Sequence, residues 1–183
     1  MVAWQTKSSS VVYRNPWFSV REDEIVNHNG TPQTYSVIDL ASPSVFIAAL
    51  NSKGEILMQR EFRYTIGRDV WGIPAGHSDG EDLLSAAKRE LLEETGMTSS
   101  DWTELPEMFA MVGIGNCPSR AYIARDVKLV TDERDPEEPI GEQKFVAIGE
   151  VDAMVRRGEI ASGAVIACLY QVRLALAGDS LIH

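Results

Sequence analysis

One segment limits the folds open to this 183-residue chain more than any other: residues 76–97, which read GHSDGEDLLSAAKRELLEETGM. Leu84, Ala87 and Leu91 recur at spacings of 3 and 4, so residues 82–95 are predicted to form a helix with one apolar stripe. Gly96 suits its C-terminal end. Such a stripe has to be packed against another element. At about 100° per residue, Glu90 and Glu94 fall roughly 40° apart, one turn from each other, on the border of the stripe. Arg89 reaches Glu93 at i+4. Neither Glu90 nor Glu94 has a basic residue three or four positions away on the helix. Two unmatched carboxylates at the edge of a packed face make an oxygen cage suited to a hard divalent cation such as Mg²⁺. The plainer alternative is a solvated acidic face. Ser78-Asp79-Gly80-Glu81 also fits an S-x-x-E capping box, which would give Glu81 a structural task at the helix start.

The length fits one domain, or one domain with a small extension. The first forty residues read as β structure, with Asn15-Pro16 as a break, Asn29-Gly30 as a turn and residues 34–40 as a returning strand. Ala41-Ser42-Pro43-Ser44 is the expected junction, dividing an N-terminal β extension (residues 1–42) from a main domain (residues 43–183). Beyond it, the apolar run 45–50 reads as a buried strand and 55–63 as its hairpin partner across Asn51-Ser52-Lys53-Gly54. Trp71-Gly72-Ile73-Pro74-Ala75-Gly76 reads as a short strand entering a loop. Strands are expected at 106–112, 120–130 and 143–149, and helices at 151–157 and 163–177. Strands and helices mix without regular βαβ alternation, so the class is α+β or a mixed sheet with helices packed on it.

Charge narrows the function classes. Lys plus Arg is 17 and Asp plus Glu is 27, giving 17 − 27 = −10. That surplus argues against a nucleic-acid partner, which needs a basic face, and against a polybasic membrane surface. It leaves anionic ligands open wherever a metal or a few Arg residues reverse the local field. The acids are also clustered: six lie between Asp79 and Glu94, and six between Asp132 and Glu142. Cys117 and Cys168 form no metal or disulfide pattern, no segment is long and apolar enough to span a bilayer, and the N-terminus has no secretory pattern, so a cytoplasmic protein is expected.

Residues 76–97 resemble the Nudix box, G-x5-E-x7-R-E-U-x-E-E-x-G-U, where U is aliphatic. Arg89-Glu90-Leu91-Leu92-Glu93-Glu94-Thr95-Gly96-Met97 matches every fixed position of its second half, and Glu81-x7-Arg89 matches the middle. Gly76 to Glu81 encloses four residues rather than five, so the loop before the helix is one residue short. Asn15-Pro16-Trp17-Phe18, Gln59-Arg60-Glu61-Phe62-Arg63-Tyr64 and Trp71-Gly72-Ile73-Pro74-Ala75-Gly76 are similar to the ADP-ribose (ADP-sugar) pyrophosphatase branch. Val112 stands before Gly113 where that branch usually has Pro.

The resemblance implies a Nudix-like α/β/α sandwich with a mixed central sheet, preceded by the antiparallel extension. It implies Mg²⁺-dependent hydrolysis of a nucleoside diphosphate sugar, with Mn²⁺ as a substitute and ADP-ribose as the leading substrate. GDP-mannose, NADH and a non-catalytic nucleotide sensor are the alternatives. Glu90, Glu93, Glu94 and the Ala75 carbonyl would hold the metal, with Arg89 orienting the carboxylates. Glu138 is the favoured base in the acidic loop, with Glu137 and Glu142 as alternatives. Arg63 is the candidate phosphate contact. Trp17, Phe18 and, more weakly, Tyr35 are candidates for stacking on a base, against core packing as the plain reading. The branch acts as a homodimer in which the N-terminal sheet reaches the partner's site.

Overall fold

The computed structural model describes residues 4–132 and 140–179. It begins with a meander of three antiparallel strands, β1 (Gln5–Arg14), β2 (Phe18–Val26) and β3 (Pro32–Leu40). Asparagines shape both of its turns. Asn15 Oδ1 accepts from the N–H groups of Trp17 and Phe18 at 2.9 and 2.8 Å. Asn27 Oδ1 accepts from those of Asn29 and Thr31, and Gly30 takes a φ of +80° to close the second turn.

The rest of the chain runs β4 (Ser44–Ala49), β5 (Ile56–Arg63), β6 (Arg68–Gly72), β7 (Ala75–His77), α1 (Leu83–Thr95), β8 (Met97–Thr98) and β9 (Asp101–Glu104). It continues with β10 (Met108–Phe109), β11 (Gly115–Asn116), β12 (Pro118–Arg125), β13 (Lys128–Leu129), β14 (Ile140–Val146), α2 (Ile148–Arg156) and α3 (Gly163–Asp179). Strands β10, β12, β4 and β7 lie side by side, with β9 also on β12. The β12–β4 pair is parallel and its neighbours are antiparallel, so the central sheet is mixed. Strands β14, β5 and β6 form a second sheet, and β11 adds in parallel to β3 of the meander.

Alternation along β4 explains the layering. Val45, Ile47 and Ala49 point to one face, where Ala86, Ala87 and Leu91 of α1 meet them together with Leu57 and Tyr122. Ala48 and Leu50 point to the other face, against Met154 of α2 and Val165, Cys168, Leu169 and Val172 of α3. Helices therefore cover both faces, as the expected α/β/α sandwich requires. No helix among the described residues is long and apolar enough to cross a membrane.

Several expected boundaries move. The strand expected at 106–112 pairs only at Met108–Phe109, because Ile114 and Gly115 both donate backbone N–H groups to the Met111 carbonyl and fold the rest into a turn. The strand expected at 143–149 lies at Ile140–Val146, and Ala147 there caps α2, which begins three residues earlier than expected. The segment 120–130 divides at Asp126, whose φ of +49° ends β12. The S-x-x-E capping box is absent. Asp82 is the N-cap, accepting from the Ser85 N–H at 3.0 Å, and Glu81 precedes the helix.

Leu91 is fully buried where α1 meets the central sheet. Leu91→Ala is expected to destabilise the protein by about 2–5 kcal/mol, read from a shift in the urea midpoint at unchanged m-value.

Candidate functional site

Glu90 and Glu94 lie deeper than the helical azimuth alone implies: they are 8% and 4% exposed. Ala86, Ala87, Leu91 and Thr95 share that packed face, while Leu84 is only half-buried. Desolvation drives the Glu90 carboxyl above the ordinary carboxylate range, and the adjacent Arg89 charge pulls it partly back.

Arg89 is the hub of the cluster. Its Nη1 donates to Glu90 Oε1 and Glu93 Oε2, both at 2.9 Å. Its Nη2 donates to the His77 carbonyl at 2.9 Å, and its Nε lies 3.3 Å from Glu81 Oε1. Burial pulls the guanidinium down, but hydrogen bonds and charges from Glu93 and Glu90 more than offset it, so the group is held firmly protonated. Glu90 thus finds its basic partner at the preceding residue, outside the three- and four-residue spacings. Glu81, released from any capping role, faces the same guanidinium.

The shortened loop has a local solution. Asp79 and Gly80 both take positive φ, +48° and +90°, and the Glu81 N–H donates to the Ser78 carbonyl at 2.8 Å. This is the geometry of a type I′ turn, which reverses the chain in two central residues. It carries β7 into α1 and leaves the helix register intact. Gly76 is constrained as well: a Cβ there would overlap the Glu90 carboxylate.

Glu94 is held by different partners. Its Oε2 accepts from Gln59 Nε2 at 2.6 Å, and its Oε1 accepts from the Ala75 N–H at 3.4 Å. Gln143 Nε2 donates to Gln59 Oε1 at 3.2 Å and to the Glu94 backbone carbonyl at 3.1 Å. Sequence reasoning assigned no role to Gln59 or Gln143. The available signal was a glutamine directly after the apolar run 56–58.

A cavity of about 400 Å³ adjoins the cluster, with Ala75, Gly76 and His77 of β7 in its wall. Arg63, Thr65 and Ile66 form another side, and Ser162 and Val165 close it from the start of α3. Arg63 reaches this cavity while its Nη2 lies 2.7 Å from Glu61 Oε2. The N-terminal aromatics are elsewhere. Trp17 is 68% exposed at the β1–β2 turn. Phe18 sits against Tyr13 with ring centroids 5.7 Å apart. The Tyr35 hydroxyl donates to the Gly113 carbonyl, and Trp4 meets its ring edge-on at 5.9 Å. Glu142 lies exposed on β14, and Glu137 and Glu138 lie outside the described residues.

The donor chemistry suits a hard divalent cation, with buried carboxylate oxygens one turn apart beside a backbone segment. Among the described residues no three acidic, His or Cys side chains converge on one point. Arg89 occupies the position between Glu90 and Glu93, and Gln59 holds Glu94 from the side of β5.

Known proteins share this architecture. A NUDIX domain model matches residues 41–165, and a nucleoside diphosphate sugar hydrolase N-terminal domain model matches residues 4–38. An ADP-ribose pyrophosphatase of Mycobacterium tuberculosis is 31% identical over 178 residues, covering 96% of this chain and 86% of the relative. One of Bacillus subtilis is 29% identical over 129 residues, covering 70% of this chain and 60% of the relative. The crystal structure of an ADP compounds hydrolase superposes with a TM-score of 0.86 at 22% identity, covering 98% of this chain and 97% of that one, a likeness of fold. With the domain match spanning most of its length and the acidic helix carrying the box, the chain belongs to the Nudix hydrolase family.

Proposed function

We propose that this enzyme is a Mg²⁺-dependent, cytoplasmic pyrophosphatase of nucleoside diphosphate sugars that hydrolyses ADP-ribose to AMP and ribose 5-phosphate. The observation that carries this reading is the buried pair Glu90 and Glu94 beside the cavity walled by Ala75, Gly76 and His77. The two relatives named ADP-ribose pyrophosphatase support the substrate. Both cysteines are buried and unpaired, which fits a reducing compartment.

Glu90, Glu93, Glu94 and the Ala75 carbonyl would hold the cation, Mg²⁺ or Mn²⁺. When bound, it neutralises phosphate charge and lowers the pKa of a water. The chain supplies the rest. Arg89 fixes Glu90 and Glu93 through one nitrogen. Arg63 meets a phosphate at the cavity wall. Glu138, or alternatively Glu137 or Glu142, accepts a proton from the attacking water. That water ends on one phosphate, and the bridging oxygen leaves with the other.

The same reading makes the protein a homodimer, with residues 1–42 as a unit that joins the copies and residues 43–183 as the hydrolase domain. Every residue of β1 is exposed, including Val11, Val12 and Tyr13, and Trp17 projects from the adjoining turn. Trp17 and Phe18 would stack on a base in the neighbouring copy's site. Tyr35, its hydroxyl bonded to the Gly113 carbonyl, would be a second, weaker stacking surface. The net charge of −10 continues to argue against nucleic acid or a membrane surface as partner.

In a panel of ADP-ribose, ADP-glucose, GDP-mannose, NADH and an oxidised nucleoside triphosphate with Mg²⁺, ADP-ribose is expected to show the highest kcat/KM, and a chelator to abolish turnover. No turnover of any diphosphate overturns the reading. Glu94→Gln is expected to lower kcat by roughly 100-fold or more while the circular dichroism spectrum is retained. Light scattering should return a mass twice that of one chain; a monomer removes Trp17 and Phe18 from the site.

A further inference from the structure

Two glutamines in the strand layer are unexplained by packing. Gln59 is 3% exposed, directly after Ile56, Leu57 and Met58, which are buried in the core. Gln143 stands opposite it across the β5–β14 pair. The Gln143 amide oxygen is buried and has no hydrogen-bond partner among the described residues. A buried amide with an unpaired oxygen is costly, and an apolar side chain of similar size would avoid that cost. What both glutamines do contribute is their N–H groups. The Gln59 amide donates to Glu94 Oε2, and the Gln143 amide donates to Gln59 Oε1 and to the Glu94 backbone carbonyl.

The direction of these bonds is informative. Each amide can both donate and accept, so the order Gln143 to Gln59 to Glu94 fixes which end of Gln59 faces the carboxylate. The Ala75 N–H holds the other carboxylate oxygen. These two donors are neutral, so they orient the Glu94 carboxylate without themselves bringing a cation to it; Glu90 and Glu93 share the Arg89 cation. The register adds a constraint. Ile140 lies opposite Glu61 and Gln143 opposite Gln59, so β14 carries one residue more than β5 over this interval. Such a bulge re-aims a side chain, and here it brings Gln143 onto the Gln59–Glu94 pair.

We propose that Gln59 and Gln143 are positioning residues: an amide relay that sets the plane of the Glu94 carboxylate for a divalent cation. This rests on the reading of Glu94 as a cation ligand. The relay raises cation affinity and kcat and leaves nucleotide KM nearly unchanged.

The test is Mn²⁺ binding to the full chain without nucleotide, followed by the electron paramagnetic resonance signal of free Mn²⁺, alongside thermal midpoints without metal. Gln59→Met is expected to weaken Mn²⁺ binding about 10- to 100-fold, the scale of losing a residue that orients a metal ligand, and to lower the metal-free midpoint, because the buried Glu94 carboxylate loses a donor. Gln143→Met should weaken it less, and should add little in the Gln59→Met background, since the two act in series. Gln143→Met also serves if Gln59→Met does not fold. Wild-type Mn²⁺ affinity in both single variants, with affinity lost in Glu94→Gln, overturns the relay and leaves the Glu94 reading standing. Wild-type affinity in Glu94→Gln overturns both.

Discussion

Burying two carboxylates on the packed face of one helix is the constraint from which the rest of the acidic site follows. An isolated carboxylate in an apolar setting is so unfavourable that it protonates or finds partners. Glu90 and Glu94 find them on different elements. Glu90 is matched by a cation from its own helix, Arg89, which also reaches Glu93, the Glu81 carboxylate and the His77 carbonyl. Glu94 is matched by neutral groups from β5 and β7. The helix can pack flush against the central sheet only because both solutions are present at once.

Several local features of the chain serve that packing. The turn centred on Asp79 and Gly80 delivers the chain from β7 to the helix within the five residues 78–82, close enough for Arg89 to bond back to His77. Gly96 then ends the helix at a φ of +69°, with a Cβ excluded by the Thr131 carbonyl. Between these points the helix length is set, and so is the azimuth of Glu90 and Glu94. The β4 strand contributes to both cores by strict alternation, so α1 on one face and α2 and α3 on the other share a single buried strand.

The helix was legible because its signal is local: apolar spacings of 3 and 4, with Asp82 and Gly96 at its ends. The layered mixed fold was legible through the box and the strand pattern. The depth of Glu90 and Glu94 was not, because it depends on what β5 and β7 bring to the helix. Gln59 read only as part of the 55–63 strand and of the Gln59–Tyr64 motif, since its partner Gln143 is 84 positions away. Tyr35 read as a candidate stacking surface, and its hydroxyl bond to Gly113 spans 78 positions. The S-x-x-E pattern at Ser78–Glu81 spans a reverse turn instead of a helix start, and the cap falls four residues after Ser78, at Asp82.

Gly76 has a consequence for how the two halves of the site fit together. It lines the cavity on one side and lies against the Glu90 carboxylate on the other. The partition between them is therefore a single backbone unit without a side chain. Any side chain at this position would push the Glu90 carboxylate away from the backbone and off its bond to Arg89. One glycine backbone unit thus sets both the cavity wall and the seat of the Glu90 carboxylate, and a larger residue there would disturb the two together.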